Sequence, residues 1–138
     1  MIDRISFRVF VAATEDEGRV RESLGIFVPL DRISEIPAEG HFGNEIKILE
    51  ATLKKREARA FFQILREQLP KEELVRLRRE MDQRLEGESH FHLRLDKQAA
   101  YKGLVKLTDS ADAVDVSALV KTYPSRREEA LRILREIL

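Results

Sequence analysis

In the stretch HFHLRLDKQAAYKG, residues 90–103, Phe91, Leu93 and Leu95 alternate with His90, His92 and Arg94. That is the period of a half-buried strand. It runs directly into a dense polar cluster. Asp96 suits a helix N-cap, because its carboxylate accepts amide hydrogen bonds, and Gly103 suits the helix end. These roles leave Arg94, Lys97, Gln98, Tyr101 and Lys102 unassigned. Arginine brings a planar bidentate fork and lysine a mobile point charge. Gln98 adds donors and Tyr101 an aromatic face, so together they suit a phosphate and an adjoining base or sugar. The plainer alternative has Tyr101 packed on the core and Lys97 paired with a carboxylate.

Three further cations, Arg8, Lys47 and Lys121, fall in strand-like segments with apolar neighbours pointing the other way. On one sheet face they would extend the same basic surface; otherwise they are solvated charges that discourage strand addition. Which holds depends on register, since a slip of one residue moves a side chain to the opposite face. The loop EGHFGN, residues 39–44, lacks the GK[ST] ending of a phosphate-binding Walker loop. Gly40 and Gly43 suit either a hairpin turn or a small nest of backbone amides, with His41 and Asn44 on the rim. His90 and His92 share a strand face by their spacing, but two histidines make a weak metal signal, and we expect no metal site and no cofactor. There is no HExxH and no nucleophile-elbow serine. No catalytic residue is assigned, and an enzyme reading rests only on the abundance of carboxylates.

The elements that must position these residues follow from periodicity. A strand near Ile5–Ala13 puts Ile5, Phe7, Val9 and Val11 on one face and Ser6, Arg8 and Phe10 on the other. Thr14 and Glu17 have capping-box spacing for a helix to about Leu24. A short strand at Arg32–Ile36 and a longer one at Glu45–Lys54 precede a helix over Arg56–Leu69, whose Ala58, Phe61, Phe62, Leu65 and Leu69 form one apolar face. Leu74, Leu77, Met81 and Leu85 suggest a second helix, stopped by Gly87. Strands follow near Leu104–Leu107 and Ala113–Thr122. A last helix is opened by Ser125 and Glu128 and buries Ala130, Ile133, Leu134 and Ile137. Strands with a few amphipathic helices imply an α+β fold: an antiparallel sheet with helices packed mainly on one face. The other face is left to solvent or a partner.

The 138 residues suit a single domain, 1–138. Twenty-five basic residues balance twenty-five acidic ones, which argues against an indiscriminate polycation but not against a local basic face. There is no cysteine, so no disulfide and no thiolate site. No apolar run reaches membrane-spanning length, and the N-terminus lacks the pattern of a signal peptide. We expect a cytoplasmic protein with no membrane partner. The 36% of charged residues, with no tryptophan, suits a heat-adapted source.

Four blocks occur in order: ISFRVFVAATED (5–16), AEGHFGNEIKILEATL (38–53), FHLRLDKQAAYKG (91–103) and YPSRREEAL (123–131). Together they resemble an archaeal family of RNA-binding proteins and predicted exosome subunits, over nearly the whole chain. The resemblance implies an α+β fold similar to that of a ribosomal protein and a role with RNA. Where that family often has proline after the Gly-Asn of the loop, this chain has Glu45, whose charge opposes an anion there. The resemblance carries no catalytic residue.

The leading expectation is a non-catalytic RNA-binding protein, an accessory to RNA processing or exosome-type degradation and a partner of RNA-processing proteins. Arg94, Lys97, Gln98 and Tyr101 would form its centre, with Arg8, Lys47 and Lys121 along the sheet, so that Lys97→Glu weakens RNA binding without unfolding the chain. The alternative is an assembly or scaffold protein that uses its open sheet face for a homodimer or a partner, with Phe10, Leu49 and Leu119 supplying apolar area.

Overall fold

A computed structural model describes residues 1–39 and 45–138. The strands are β1 (Ile2–Val11), β2 (Ser34–Glu39), β3 (Glu45–Lys54), β4 (Leu85–Glu86), β5 (His90–Asp96) and β6 (Ala113–Val120). The helices are α1 (Glu17–Gly25), α2 (Arg56–Gln68), α3 (Lys71–Arg79), α4 (Met81–Arg84), α5 (Lys97–Tyr101) and α6 (Arg127–Ile137), with a 3-10 turn at Leu30–Arg32. The six strands form one antiparallel sheet in the order β2-β3-β1-β6-β5-β4. This is the expected α+β architecture.

Alternation decides which face is covered. In β1, Ile5, Phe7, Val9 and Val11 are buried, while Arg4, Ser6, Arg8 and Phe10 are exposed. The buried face continues through Leu49, Ala51 and Leu53 of β3, Val114, Val116 and Ala118 of β6, and Phe91, Leu93 and Leu95 of β5. Helix α2 lies over β1 and β3 and buries Ala58, Phe61, Phe62 and Leu65. Phe61 meets Phe7 edge-to-face, with ring centroids 5.0 Å apart, a geometry that aromatic quadrupoles favour. Helix α6 buries Ala130, Leu131 and Leu134 against the β6 side, with Ile133 and Ile137 half-buried beside them. Each fully buried Phe or Leu contributes about 1.5–3 kcal/mol, so these stripes supply most of what holds helices to sheet.

Several boundaries differ from expectation, each for a local reason. Asp16, not Thr14, caps α1: its Oδ1 accepts from Gly18 N at 2.8 Å, while Glu15 accepts from Ala12 N. Ser125 does not cap α6; Thr122 Oγ1 accepts from Arg126 N at 3.0 Å instead. The apolar repeat Leu74, Leu77, Met81, Leu85 is broken at Glu80, with φ −90° and ψ 7°, into α3 and α4. Leu85 then leaves the helix to pair with Phe91 as a strand. Gly87, at φ +61°, serves the turn between β4 and β5 rather than a helix end. The expected strand at 104–107 is reduced to one bridge, Leu95 to Leu107.

Candidate functional site

The exposed side of the sheet, which we term the outer face, is built in rows by the register. The first row reads Glu50 (β3), Arg8 (β1), Asp115 (β6) and Arg94 (β5) across four neighbouring strands. Signs alternate, and the neighbours pair. Arg8 Nη2 lies 2.7 Å from Glu50 Oε1, and Arg94 Nε lies 2.9 Å from Asp115 Oδ1. The second row is uncharged apart from its histidine: Thr52, Ser6, Ser117 and His92. His92 Nε2 is 2.9 Å from Glu86 Oε2, and its ring stacks at 14° on that of His90. The third row reads Lys54, Arg4, Leu119 and His90. At the opposite end, Ile36, Ile48 and Phe10 lie side by side. Rows on one face are about 7 Å apart along a strand, and neighbouring strands about 4.8 Å apart.

Gln83 and Arg84 of α4, Glu86, Thr108 and Asp109 form a wall beside β5 and close the first two rows into a groove of about 980 Å³. The wall is held by ions. Arg76 spans Glu80 at 3.0 Å and Asp109 at 2.7 Å, and Arg84 reaches Glu80 at 2.8 Å. The Arg76 guanidinium holds the Glu80 carboxyl below its usual range, with Arg84 adding to the effect. Arg127, at the start of α6, donates to the carbonyls of Leu85, Gly87 and Asp82 and so ties this corner to the last helix.

The register corrects the expectation of one shared basic surface. Arg8, Arg94 and Lys121 have outer-face parity, but Arg8 and Arg94 are neutralised by carboxylates. Lys47 stands opposite Val11 on the buried-face side of β3, at the strand's end. There it pairs with Glu17 at 3.1 Å, a contact that raises its pKa. Leu49 is fully buried and adds nothing to the outer face. His41 and Asn44 lie outside the described residues.

Lys97 is the largest correction. It is 3% exposed, and its Nζ sits 2.9 Å from both Glu15 Oε2 and Asp112 Oδ1 and 3.2 Å from the Phe10 carbonyl. Burial lowers its pKa, but the two carboxylates more than offset that and hold it above the usual lysine range. Burial also pushes Glu15 up, yet the Ala12 amide and Lys97 leave it below the usual carboxylate range. Tyr101 donates to Glu15 Oε2, and Gln98 donates to Asp112 Oδ2. Lys97, Gln98 and Tyr101 are therefore parts of an internal tie, with Lys97 turned away from any phosphate. Asp96 does cap α5 as expected, accepting from Ala99 N at 2.9 Å.

Sequence reasoning missed Arg4 and Lys54. They lie directly opposite one another on the outer face, and Lys121 projects from the same end of β6. Among the described residues, none of the three makes an ion pair. The signal was present as parity: Arg4 is two residues before Ser6, and Lys54 two after Thr52.

A family model described as RNA binding matches residues 4–120. The RNA-binding protein PAB1135 of Pyrococcus abyssi is 34% identical over 141 residues, covering 97% of this chain and 92% of that protein. The solved structure of the DUF54 protein AF2318 of Archaeoglobus fulgidus superposes with a TM-score of 0.88 at 31% identity, over the full length of both chains. That of Mth689, a DUF54 protein of Methanothermobacter thermautotrophicus, gives 0.84 at 34% identity, over 100% of this chain and 98% of that one. With the rows of all four strands, from Arg4 onward, inside the matched residues, the chain belongs to this archaeal family described as RNA binding.

Proposed function

We propose that the protein is a non-catalytic, single-domain RNA-binding protein that meets RNA with the outer face of its sheet. Its family membership supports the RNA, and one observation carries the site. Four neighbouring strands present Arg8, His92, Arg94 and the hydroxyls of Ser6, Thr52 and Ser117 around an open groove that α4 bounds on one side. Contacts of this kind read backbone and shape, because few donors are free to reach base edges. An accessory role in cytoplasmic RNA processing or exosome-type degradation fits a protein that holds RNA without cleaving it.

A second reading is favoured by the apolar end of the same face. Phe10 and Ile36 are 42% and 41% exposed beside Ile48, which suits a partner protein or a second copy of this chain.

Fluorescence anisotropy with single-stranded and structured RNA, each at low and near-physiological salt, tests the first reading. Binding that persists and weakens as salt rises is expected. Absence of binding at both salts moves the function to the protein partner. Intact RNA after incubation with magnesium, manganese or zinc is expected; specific cleavage would make the protein a nuclease.

A further inference from the structure

Arg4 and Lys54 are direct cross-strand neighbours on the outer face. Like charges directly opposed in an antiparallel pair are destabilising. Elsewhere on this face the register avoids that: Arg8 is flanked by Glu50 and Asp115, and Arg94 faces Asp115. Lys121 adds a third cation at the same end, its backbone amide bound to the Met1 carbonyl at 2.7 Å. The carboxylate nearest in sequence, Asp3, makes no ion pair with any of them among the described residues. Next to the cations lies the hydroxyl row of Ser6, Thr52 and Ser117, about 7 Å away along the strands. Two residues past Lys121, Tyr123 is 96% exposed, which leaves its ring without a packing role.

We infer that Arg4, Lys54 and Lys121 form the phosphate-gripping end of the RNA surface. The sugar–phosphate backbone would cross the cations and continue along the hydroxyl row, and Tyr123 would stack on an unpaired base. Three cations that make no ion pair among the described residues lie at this end, beside hydroxyls that suit phosphate and sugar oxygens. The paired charges of the first row then orient the strand without supplying net attraction. This assignment rests on the proposed RNA-binding function.

The test uses the full chain and a single-stranded oligouridine. Lys54→Glu sets an opposite charge across from Arg4, so its melting temperature is expected to hold or rise. Its affinity for RNA is expected to fall roughly tenfold at low salt, and the slope of log K against log salt to lessen by about 0.7, the value of one lost phosphate contact. Tyr123→Ala is expected to weaken binding with the slope unchanged, because the ring carries no charge. If the wild-type protein binds RNA and Lys54→Glu binds it with the same affinity and slope, the gripping end is wrong while the RNA function stands. If the wild-type protein binds polyglutamate and not RNA, both fall, in favour of an acidic protein partner.

Discussion

Lys97 shows how one side chain changes meaning between sequence and fold. It follows a strand and opens a short helix, where it reads as a surface cation. In the structure it draws together the turn after β1 through Glu15, the 108–112 loop through Asp112, and the Phe10 carbonyl. Removing one partner of a buried pair typically costs about 3–5 kcal/mol. Glu15 and Asp112 keep contact with water, which screens their lost pairing, so Lys97→Met is expected to cost roughly 2–3 kcal/mol in urea unfolding. An unchanged midpoint would remove the stabilising role assigned to this tie. Lys97→Glu would bring three carboxylates together and weaken the fold itself, so it does not report on RNA contact. Lys55 is the other residue with a testable cost. It has φ 51° and ψ −111°, between β3 and α2. A non-glycine residue there stores on the order of 1–3 kcal/mol of backbone strain. Glycine relieves that strain but adds freedom to the unfolded chain. Thermal unfolding of Lys55→Gly should show a net gain of about 1 kcal/mol; a loss would mean that the Lys55 side chain contributes more than its backbone costs.

Among the elements, the tie at Lys97 predicts how α1, α5 and the 108–112 loop respond to acid. Asp112 is held below its usual range by Lys97, and Glu15 has a lowered native pKa as well. A carboxylate whose pKa is depressed on folding contributes stability that is complete above the unfolded value, about 4. That contribution is lost as pH falls through the native values. The urea midpoint should therefore hold from neutral pH to about 5 and decline below about 4. In Lys97→Met the decline should be shallower, and an equal decline would place the acid sensitivity elsewhere. The same elements show what the chain made legible. Strong alternation and a wide apolar stripe identified β3 and α2 almost to the residue, because burial leaves little choice of face. Capping was misassigned at Thr14 and Ser125, since neighbouring polar groups compete for the same amides and the turn geometry decides among them. Arg8 and Arg94 were found as basic, but their partners Glu50 and Asp115 lie on other strands. Pairing across strands is a property of register, which a linear reading does not contain. Lys47 was placed on the wrong side of the sheet for the same reason.

For the whole molecule, a net charge of zero conceals a polarised face. Its first row is charge-balanced, one end is cationic and the other apolar, so composition alone understated the attraction available to an anion. The sheet order carries a consequence for biosynthesis. Strand β1 lies at the centre, between β3 and β6, with Phe7 opposite both Ala51 and Val116. As the ribosome extends the chain, β1 is made before β3 and can hydrogen-bond to it early on one side. Its other edge stays open until β6 has been translated, which ends 66 residues after β3, roughly 3–13 seconds later at ordinary elongation speeds. During that interval a nascent chain displays a central, alternating apolar strand with an unpaired edge, a form open to mispairing with other chains. The sheet order that places β1 at the centre thus leaves the growing chain in need of shielding as it emerges.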